Sequence, residues 1–247
     1  MSTANSAPSN VASSDAQLTA ILRGPAPATI TDVIARMQAM DSVLPITDGL
    51  KWFNWLYLKV TEQVDLNPPG GAWQNPAWLT RLDVVFAGLY FDAVAGYLSG
   101  TSIPAAWSAM LDARMRTGID RIQFALAGMN AHIDHDLALA LLATDSQLNL
   151  IPTKGGNEYA DFESVNALLQ GLMPQVLTTL ASDALGVLAE DTGKVGQLLA
   201  FWDLCQARNL AWDFADRLRG LSGIERVAAL DGQNVTTGAL ALALLAF

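Results

Sequence analysis

Positive charge and cysteine are both scarce in this sequence. Its 14 Lys and Arg stand against 24 Asp and Glu, so the formal net charge is −10 at pH 7. Nucleic-acid phosphates need a basic face on their protein partner, and the chain has no cluster of Lys and Arg, so we expect no nucleic-acid partner. The single cysteine, Cys205, excludes a disulfide within the chain. It also favours a reducing compartment, which predicts a cytoplasmic protein.

Long hydrophobic runs, strand patterns and cofactor motifs are absent as well. No stretch reaches the roughly 18 consecutive apolar residues that cross a bilayer, so we expect no membrane partner. The apolar tail over 238–247 is instead predicted to dock as a core helix. Alternating runs of Val, Ile and Thr between hairpin turns are missing, which argues against strands. The sequence has no phosphate-binding loop, dinucleotide fingerprint or nucleophile elbow, so we expect no cofactor.

Apolar residues, by contrast, make up 51% of the chain and charged residues only 15%, below the roughly 25% usual in globular domains. Pro, Gly and Asn residues divide the chain into helical blocks, with helix starts at Asp48 and at Asn75-Pro76. We predict an all-α fold, a single-domain bundle of about eight to ten helices over 16–247 around a central apolar helix at about 118–143. The Ser- and Ala-rich residues 1–15 are predicted to be a disordered leader.

Two polar residues occupy the apolar side of the predicted central helix. His132 and Asp136 stand one turn apart on a stripe that otherwise holds small and apolar residues, so both are expected to face the core. A buried carboxylate is costly unless it is paired. The two residues either satisfy each other as a structural brace or belong to a catalytic or ligand-binding site, where groups with perturbed pKa values concentrate.

Asp83 and Arg208 repeat this pattern on two other helices. Asp83 lies on an apolar stripe before Tyr90, and Arg208 lies on another beside Trp212. The pair either ties two helices together as an ion pair or supplies catalytic groups. We expect further polar or aromatic side chains to contact a bound substrate: Tyr90, Asn54, Tyr57, Asn130, Asp134, Asn166 and Trp212.

The segment around His132 carries a family resemblance. The block Gly128-Met-Asn-Ala-His-Ile-Asp-His-Asp-Leu137 resembles the hallmark of an uncharacterised bacterial family of α-helical proteins, a domain of unknown function. That family usually has Asn where this chain has Asp134. The resemblance implies an all-helical fold and supports the same site residues, without implying a reaction. It spans about Leu50 to Leu218, through Phe53-Asn54, Leu82-Asp83, Asp161-Phe162 and Ala207-Arg208.

Three functions remain open from these residues. The first is an enzyme that performs general acid/base chemistry on a small, largely hydrophobic molecule in a buried pocket, by cyclisation, isomerisation or elimination. His132 and Asp136 would exchange protons there, and Asp83 and Arg208 would orient groups or stabilise charge. The second is a metal-dependent hydrolase or oxygenase with His132, Asp136 and Asp83 as ligands. The third is a non-catalytic binding or structural protein in which the polar residues only pair. The oligomeric state is not predicted.

Overall fold

The computed structural model of the chain describes residues 7–68, 71–181 and 203–246, and every regular element within them is helical. Counting α6, the π-helical segment and α7 as one continuous helix, these residues hold nine helices in one compact domain, which confirms the predicted all-α bundle of eight to ten. The elements are, in chain order, α1 (Ala7–Leu22), α2 (Ile30–Val43), α3 (Gly49–Leu66), α4 (Pro76–Ser99), α5 (Ala105–Ala113), α6 (Arg121–Met129), a π-helical segment (Asn130–Asp136), α7 (Leu137–Leu148), α8 (Asn157–Ala181), α9 (Leu204–Gly220) and α10 (Gly223–Ala246).

The caps of α3 and α4 confirm the two predicted helix starts. Asp48 Oδ1 accepts a hydrogen bond from the Leu50 amide at 3.0 Å, ahead of α3. Asn75 Oδ1 accepts one from the Trp78 amide at 3.1 Å, and Pro76 fills the first position of α4, where its missing N–H costs nothing. Both helices carry predicted site residues on their inner faces.

The helix through α6, the π-helical segment and α7 forms the centre of the bundle. It runs from Arg121 to Leu148, a few residues later at both ends than predicted. Gly118 adopts φ +82° in the preceding loop, and Asn149 ends the helix in the left-handed conformation with φ 52°. α6 packs against α3 and α10, the π-helical segment against α10, α9 and α4, and α7 against α4 and α9. Its middle, Asn130–Asp136, widens into a π-helix with hydrogen bonds from residue i to i+5. π-Helical turns are rare in proteins, and those that occur are often found at functional sites.

The start of the chain differs from the sequence-based prediction. Residues 1–15 are predicted to be disordered, but α1 begins at Ala7, and residues 1–6 lie outside the described residues. Leu18 is fully buried, and Asp15 forms an ion pair with Arg114, which also pairs with Asp48 at 3.0 Å. Composition could not reveal this anchor, because Arg114 lies 99 residues further along the chain.

Two apolar segments bear on membrane contact. By length and composition α4 is able to cross a membrane, although 44% of its most apolar stretch is buried inside the fold. The core helix of a globular protein passes the same test, so the finding is weak evidence for a span. The tail over 238–246 docks through one face of α10, as predicted, with Ala241, Leu244 and Leu245 buried.

Gly128 allows α3 to approach α6 closely. A methyl group at this position would lie 2.4 Å from Cγ of Phe53. Phe53 is fully buried, and its ring meets the ring of His132 edge-on with centroids 5.7 Å apart. The missing side chain at residue 128 therefore helps to set the position of an aromatic ring beside the predicted site.

We expect Gly128→Ala to destabilise the fold and Gly88→Ala to leave it unchanged or more stable. The methyl group at 128 overlaps Phe53, which costs about 1–3 kcal/mol, whereas a methyl group at Gly88 in α4 meets no atom within 4 Å. Alanine at 88 should gain about 0.5–1 kcal/mol from its helix propensity. Urea unfolding of both variants measures the difference, and a Gly128→Ala protein as stable as the parent would contradict the packing described.

Candidate functional site

The carboxylate of Asp136 lies at the centre of the site and faces three N–H groups. Trp107 Nε1 donates a hydrogen bond to Oδ2 at 2.8 Å, His132 Nδ1 lies 3.3 Å from the same oxygen, and His135 Nδ1 lies 2.8 Å from Oδ1. A carboxylate only accepts, so the Nδ1 atom of each ring carries the hydrogen. Each neutral imidazole then keeps Nε2 as its free acceptor.

Burial and hydrogen bonding act in opposite directions on this group. Burial raises the pKa of Asp136, but the hydrogen bonds and charges of His132 and His135 together hold that pKa below its ordinary value. Burial lowers the pKa of His132, and the contact with Asp136 opposes this only in part. At neutral pH the site therefore holds an anionic carboxylate beside a neutral imidazole at 132.

His132 lies inside a cage of aromatic rings. Its ring stacks on Phe86 with centroids 3.5 Å apart and planes 7° apart, and the ring of Tyr57 meets it at 4.4 Å. Phe53, Tyr90 and Trp107 surround the same imidazole at 5.7–6.2 Å. His132 is only 1% exposed, and its Nε2 has no hydrogen-bond partner among the described residues. It is the interior member of the histidine pair.

His135 is the histidine that reaches a pocket. Its side chain is 12% exposed, and with Asp136 it lines a cavity of about 220 Å³ between α4, the α4–α5 connection and the end of the π-helical segment. The apolar stripe in the sequence points to His132 and leaves His135 out of the predicted site. Sequence spacing could not show that His135 reaches a pocket, because the π-helical turn changes the direction in which residue 135 points. The other lining residues are Leu89, Asp92, Ala93, Gly96, Thr101, Ser102, Ile103, Pro104 and Leu139.

Asp83 and Arg208 belong to a second polar cluster, and the ion pair that was one of the two alternatives for them is not formed. Within the described ranges no carboxyl oxygen of Asp83 lies within 4.0 Å of a guanidinium nitrogen of Arg208. The guanidinium forms its hydrogen bonds with α8. Arg208 Nε donates to Asn166 Oδ1 at 2.7 Å, its Nη2 donates to the Phe162 carbonyl at 3.1 Å, and its Cζ lies 4.2 Å from the centre of the Phe162 ring. Burial lowers the pKa of Arg208 to about 10, so the side chain stays charged at neutral pH.

One oxygen of the Asp83 carboxyl is buried without a donor. The residue keeps part of its surface exposed, but its Oδ2 is fully buried and has no hydrogen-bond partner in the part of the chain described. Burial raises the pKa of Asp83 from 3.8 to about 7, the charge of Arg208 opposes this, and Asp65 adds to it. Asp83 is therefore an acid that gains or loses its proton near neutral pH.

Three of the residues predicted to contact a ligand join helices through hydrogen bonds. Tyr90 Oη donates to Asn54 Oδ1 at 3.1 Å, and Asn54 Nδ2 donates to the Met37 carbonyl at 3.0 Å, which joins α4, α3 and α2. Asn130 Nδ2 donates to the Thr237 carbonyl at 2.9 Å and joins the π-helical segment to α10. Each bond satisfies a buried donor, whereas Asn130 Oδ1 has no hydrogen-bond partner among the described residues.

The remaining predicted residues lie in three different places. Tyr57 belongs to the cage around His132, and Asn166 belongs to the Arg208 cluster, where its Nδ2 also donates to Asn209 at 3.1 Å. Trp212 is fully buried against the rings of aromatic residues from α4 and α8. Asp134 faces a separate cavity of about 660 Å³ along α9 and α10. The predicted site residues therefore do not form one site. They divide between the site around Asp136, the cluster around Arg208 and the cavity that Asp134 faces.

The ligand set considered for a metal is not brought together. His132 turns its Nδ1 towards Asp136 as a hydrogen-bond partner, and Asp83 lies in the other polar cluster. In the described ranges no group of three or more His, Cys, Asp or Glu side chains is arranged to hold a metal ion. The donor geometry therefore gives the metal-dependent alternative no support.

Comparison with known proteins adds a family. A family model described as a family of unknown function (DUF5995) matches residues 30–247. No curated protein and no solved structure matches the chain. The family match covers the caged histidine, the pocket and the Arg208 cluster, and its description states no activity, so any function has to come from the geometry of these residues.

We expect Asp83→Asn to stabilise the protein more at pH 8 than at pH 5. Because folding raises the pKa of Asp83 from 3.8 to about 7, the native state holds the proton more tightly, and this contribution to stability is lost as pH rises through 7. The asparagine variant does not undergo that loss. The difference in free energy of unfolding between variant and parent should therefore grow by about 1–2 kcal/mol from pH 5 to pH 8. This is less than the full pKa shift would give, because part of the side chain meets water.

Urea unfolding at the two pH values measures this change in stability. The exposed carboxylate of Asp112 in α5 provides the matched control, since Asp112→Asn replaces an acid that stays in solvent. An advantage of Asp83→Asn that does not change between pH 5 and pH 8 would contradict the raised pKa.

Proposed function

We propose that this chain, which belongs to the DUF5995 family, is an enzyme that performs general acid/base chemistry on a small molecule, with His135 as the group that exchanges protons. The observation that carries the proposal is the 2.8 Å contact between His135 Nδ1 and Asp136 Oδ1 at the wall of the 220 Å³ cavity. A histidine oriented by a buried carboxylate and open to a pocket is a recurring arrangement for proton transfer.

Asp136 prepares His135 for this role in two ways. It accepts the Nδ1 hydrogen, which fixes the tautomer and leaves Nε2 as the basic nitrogen. When Nε2 takes a proton from a substrate, the anionic carboxylate stabilises the imidazolium that forms. Trp107 and His132 act as positioning residues, because their bonds to Oδ2 keep the carboxylate ionised and oriented in a dry interior.

The pocket favours a small, largely hydrophobic substrate that is neutral or positively charged. Leu89, Ala93, Ile103 and Leu139 supply apolar walls, whereas Asp92 supplies a carboxylate, and no Lys or Arg occurs among the described lining residues. A phosphate or carboxylate would therefore find no cation to pair with. Isomerisation, elimination or cyclisation of such a molecule in the cytoplasm needs only a base and its conjugate acid, without a cofactor.

A non-catalytic role is the second candidate, and the cage around His132 favours it. That imidazole is 1% exposed and stacked on Phe86, and Asp136 is already satisfied by three donors. In this alternative the whole cluster only braces α4, α5 and the π-helical segment. The two candidates differ in one point, which is whether His135 reacts with a molecule in the pocket.

We expect His135→Gln to abolish general-base activity towards a minimal probe, 5-nitrobenzisoxazole. In this reaction a base takes the ring C–H proton, the N–O bond breaks, and a coloured cyanophenolate forms, so only a base in a small pocket is needed. The rate with the parent should exceed that of His135→Gln by ~10²-fold. Lys154→Ala, which removes an exposed ion pair with Asp213 outside the pocket, should match the parent. Equal rates for the parent and His135→Gln would sink the proposal.

We expect diethyl pyrocarbonate to modify one of the two histidines quickly and to spare the other. The chain contains only His132 and His135, and only the second is open to a pocket. Mass spectrometry of intact protein should show one fast addition that persists in His132→Gln and disappears in His135→Gln. Rapid modification of residue 132 in the folded parent would contradict the cage.

A further inference from the structure

α10 buries one face and exposes an apolar face on its other side. Thr237, Gly238 and Ala241 pack inward against α5, α6 and the π-helical segment. The outer side exposes large apolar side chains: Ile224 at 87%, Val235 at 68%, Leu242 at 61% and Val227 at 57%. Nine large hydrophobic side chains are exposed in the described residues, and four of them lie on this one helix. The concentration points to contact with a partner.

The exposed positions form a straight ridge with internal symmetry. Residues 224, 228, 231, 235, 239, 242 and 246 follow one another at spacings of four, three and four, then again four, three and four. An average step close to the helical repeat keeps them in one line along the axis. The spacing reads the same in both directions from Val235, so an antiparallel copy would place the same ridge in register.

We infer that this ridge is the dimer interface of the protein, with α10 of a second copy packed antiparallel about a two-fold axis at Val235. In this register large side chains meet small ones. Leu242 of one copy faces Ala228 of the other, Ile224 faces Ala246, and each contact occurs twice, as a two-fold interface requires. Alanine opposite leucine or isoleucine provides the hole that lets two helices approach closely.

The exposed area is sufficient for such a dimer. Val227 lies beside the ridge on the adjacent flank of α10. Together with the ridge residues Ile224, Val235 and Leu242 it exposes roughly 500 Å² of apolar surface, near the upper end of what a monomer usually leaves open. Two copies would bury about 1,000 Å² from these side chains alone, with the alanines of the ridge in addition, which reaches the size of a specific interface. The antiparallel arrangement also sets the positive end of each helix dipole beside the negative end of the other.

Charge favours a second copy over a lipid surface as the occupant. Helices that lie on membranes carry Lys and Arg along their polar face, whereas α10 has Arg226 as its one basic residue and the chain has a net charge of −10. The ridge itself contains one charged side chain, Asp231. In the proposed register Asp231 faces Ala239 of the other copy, so it weakens the interface without preventing it.

Cysteine cross-linking tests the register directly. In a Cys205→Ser background, Val235→Cys lies on the two-fold axis and should form a disulfide with its own counterpart under mild oxidation. Leu242→Cys alone faces Ala228 of the other copy and should not cross-link. Mixing it with a separate Ala228→Cys protein should yield a mixed disulfide dimer. Efficient cross-linking of Leu242→Cys with itself, or none of Val235→Cys, would overturn the proposal.

Sedimentation equilibrium tests the association itself. We expect the full chain to be dimeric at tens of micromolar and to associate more tightly as salt screens the negative charge of both copies. Val235→Asp should raise the dissociation constant about 100-fold or more, because two carboxylates meet at the axis. Asp231→Ala should lower it. Leu66→Asp alters another exposed apolar residue, at the end of α3, and should have no effect.

Two outcomes would contradict the dimer. One is a parent protein that stays monomeric across the concentration range, with or without added salt. The other is a monomer that binds phosphatidylcholine or phosphatidylglycerol vesicles through α10 and loses this binding in Val235→Asp. Circular dichroism and thermal unfolding of Val235→Asp should match those of the monomeric parent, because residue 235 contributes an exposed side chain to the fold.

Discussion

A buried anion at the centre of the bundle determines the arrangement of the residues around it. Asp136 is 2% exposed, and its oxygens face N–H groups from α5 and from its own π-helical segment. An ionised carboxylate without such donors would be so unfavourable in an apolar interior that it would take up a proton instead. The three donors stabilise the charge, and the charge in turn fixes the tautomer of both imidazoles.

The π-helical turn explains why the two imidazoles differ in surroundings. A π-helix places more residues in each turn than an α-helix does, so residue i+3 turns further away from residue i. His132 points inward against Phe86, while His135 points to the wall of the pocket, and both still contact the carboxylate of Asp136. The widened turn thus separates a buried, structural histidine from an accessible one on the same short segment.

Local rules predicted the fold and the burial of the central acid, because they depend on residues close in sequence. The caps at Asp48 and Asn75 and the apolar stripe around His132 are of this kind. The positions that depend on packing between distant segments were not predictable. Arg208 turns to Asn166 and away from Asp83, and Asp15 anchors α1 through Arg114. Likewise, helical periodicity assumes a regular α-helix and cannot show which histidine a π-turn directs to a pocket.

The two polar clusters share one physical solution to the cost of burying charge. Buried or partly buried ion pairs occur elsewhere in the described residues, between Arg114 and Asp48 and between Arg219 and Asp145. Asp136 and Arg208, by contrast, are buried without pairing with each other. Each is stabilised by neutral groups instead, the carboxylate by ring N–H donors and the guanidinium by carbonyl oxygens and the Phe162 ring.

Two further groups beside these clusters shift towards their neutral forms. Burial raises the pKa of Asp83 to about 7 and lowers the pKa of His132. A charge held by neutral partners keeps its full field, because no counter-ion cancels it. The anionic carboxylate of Asp136 therefore acts at the pocket wall without a neutralising cation, which fits the orienting role proposed for it beside His135.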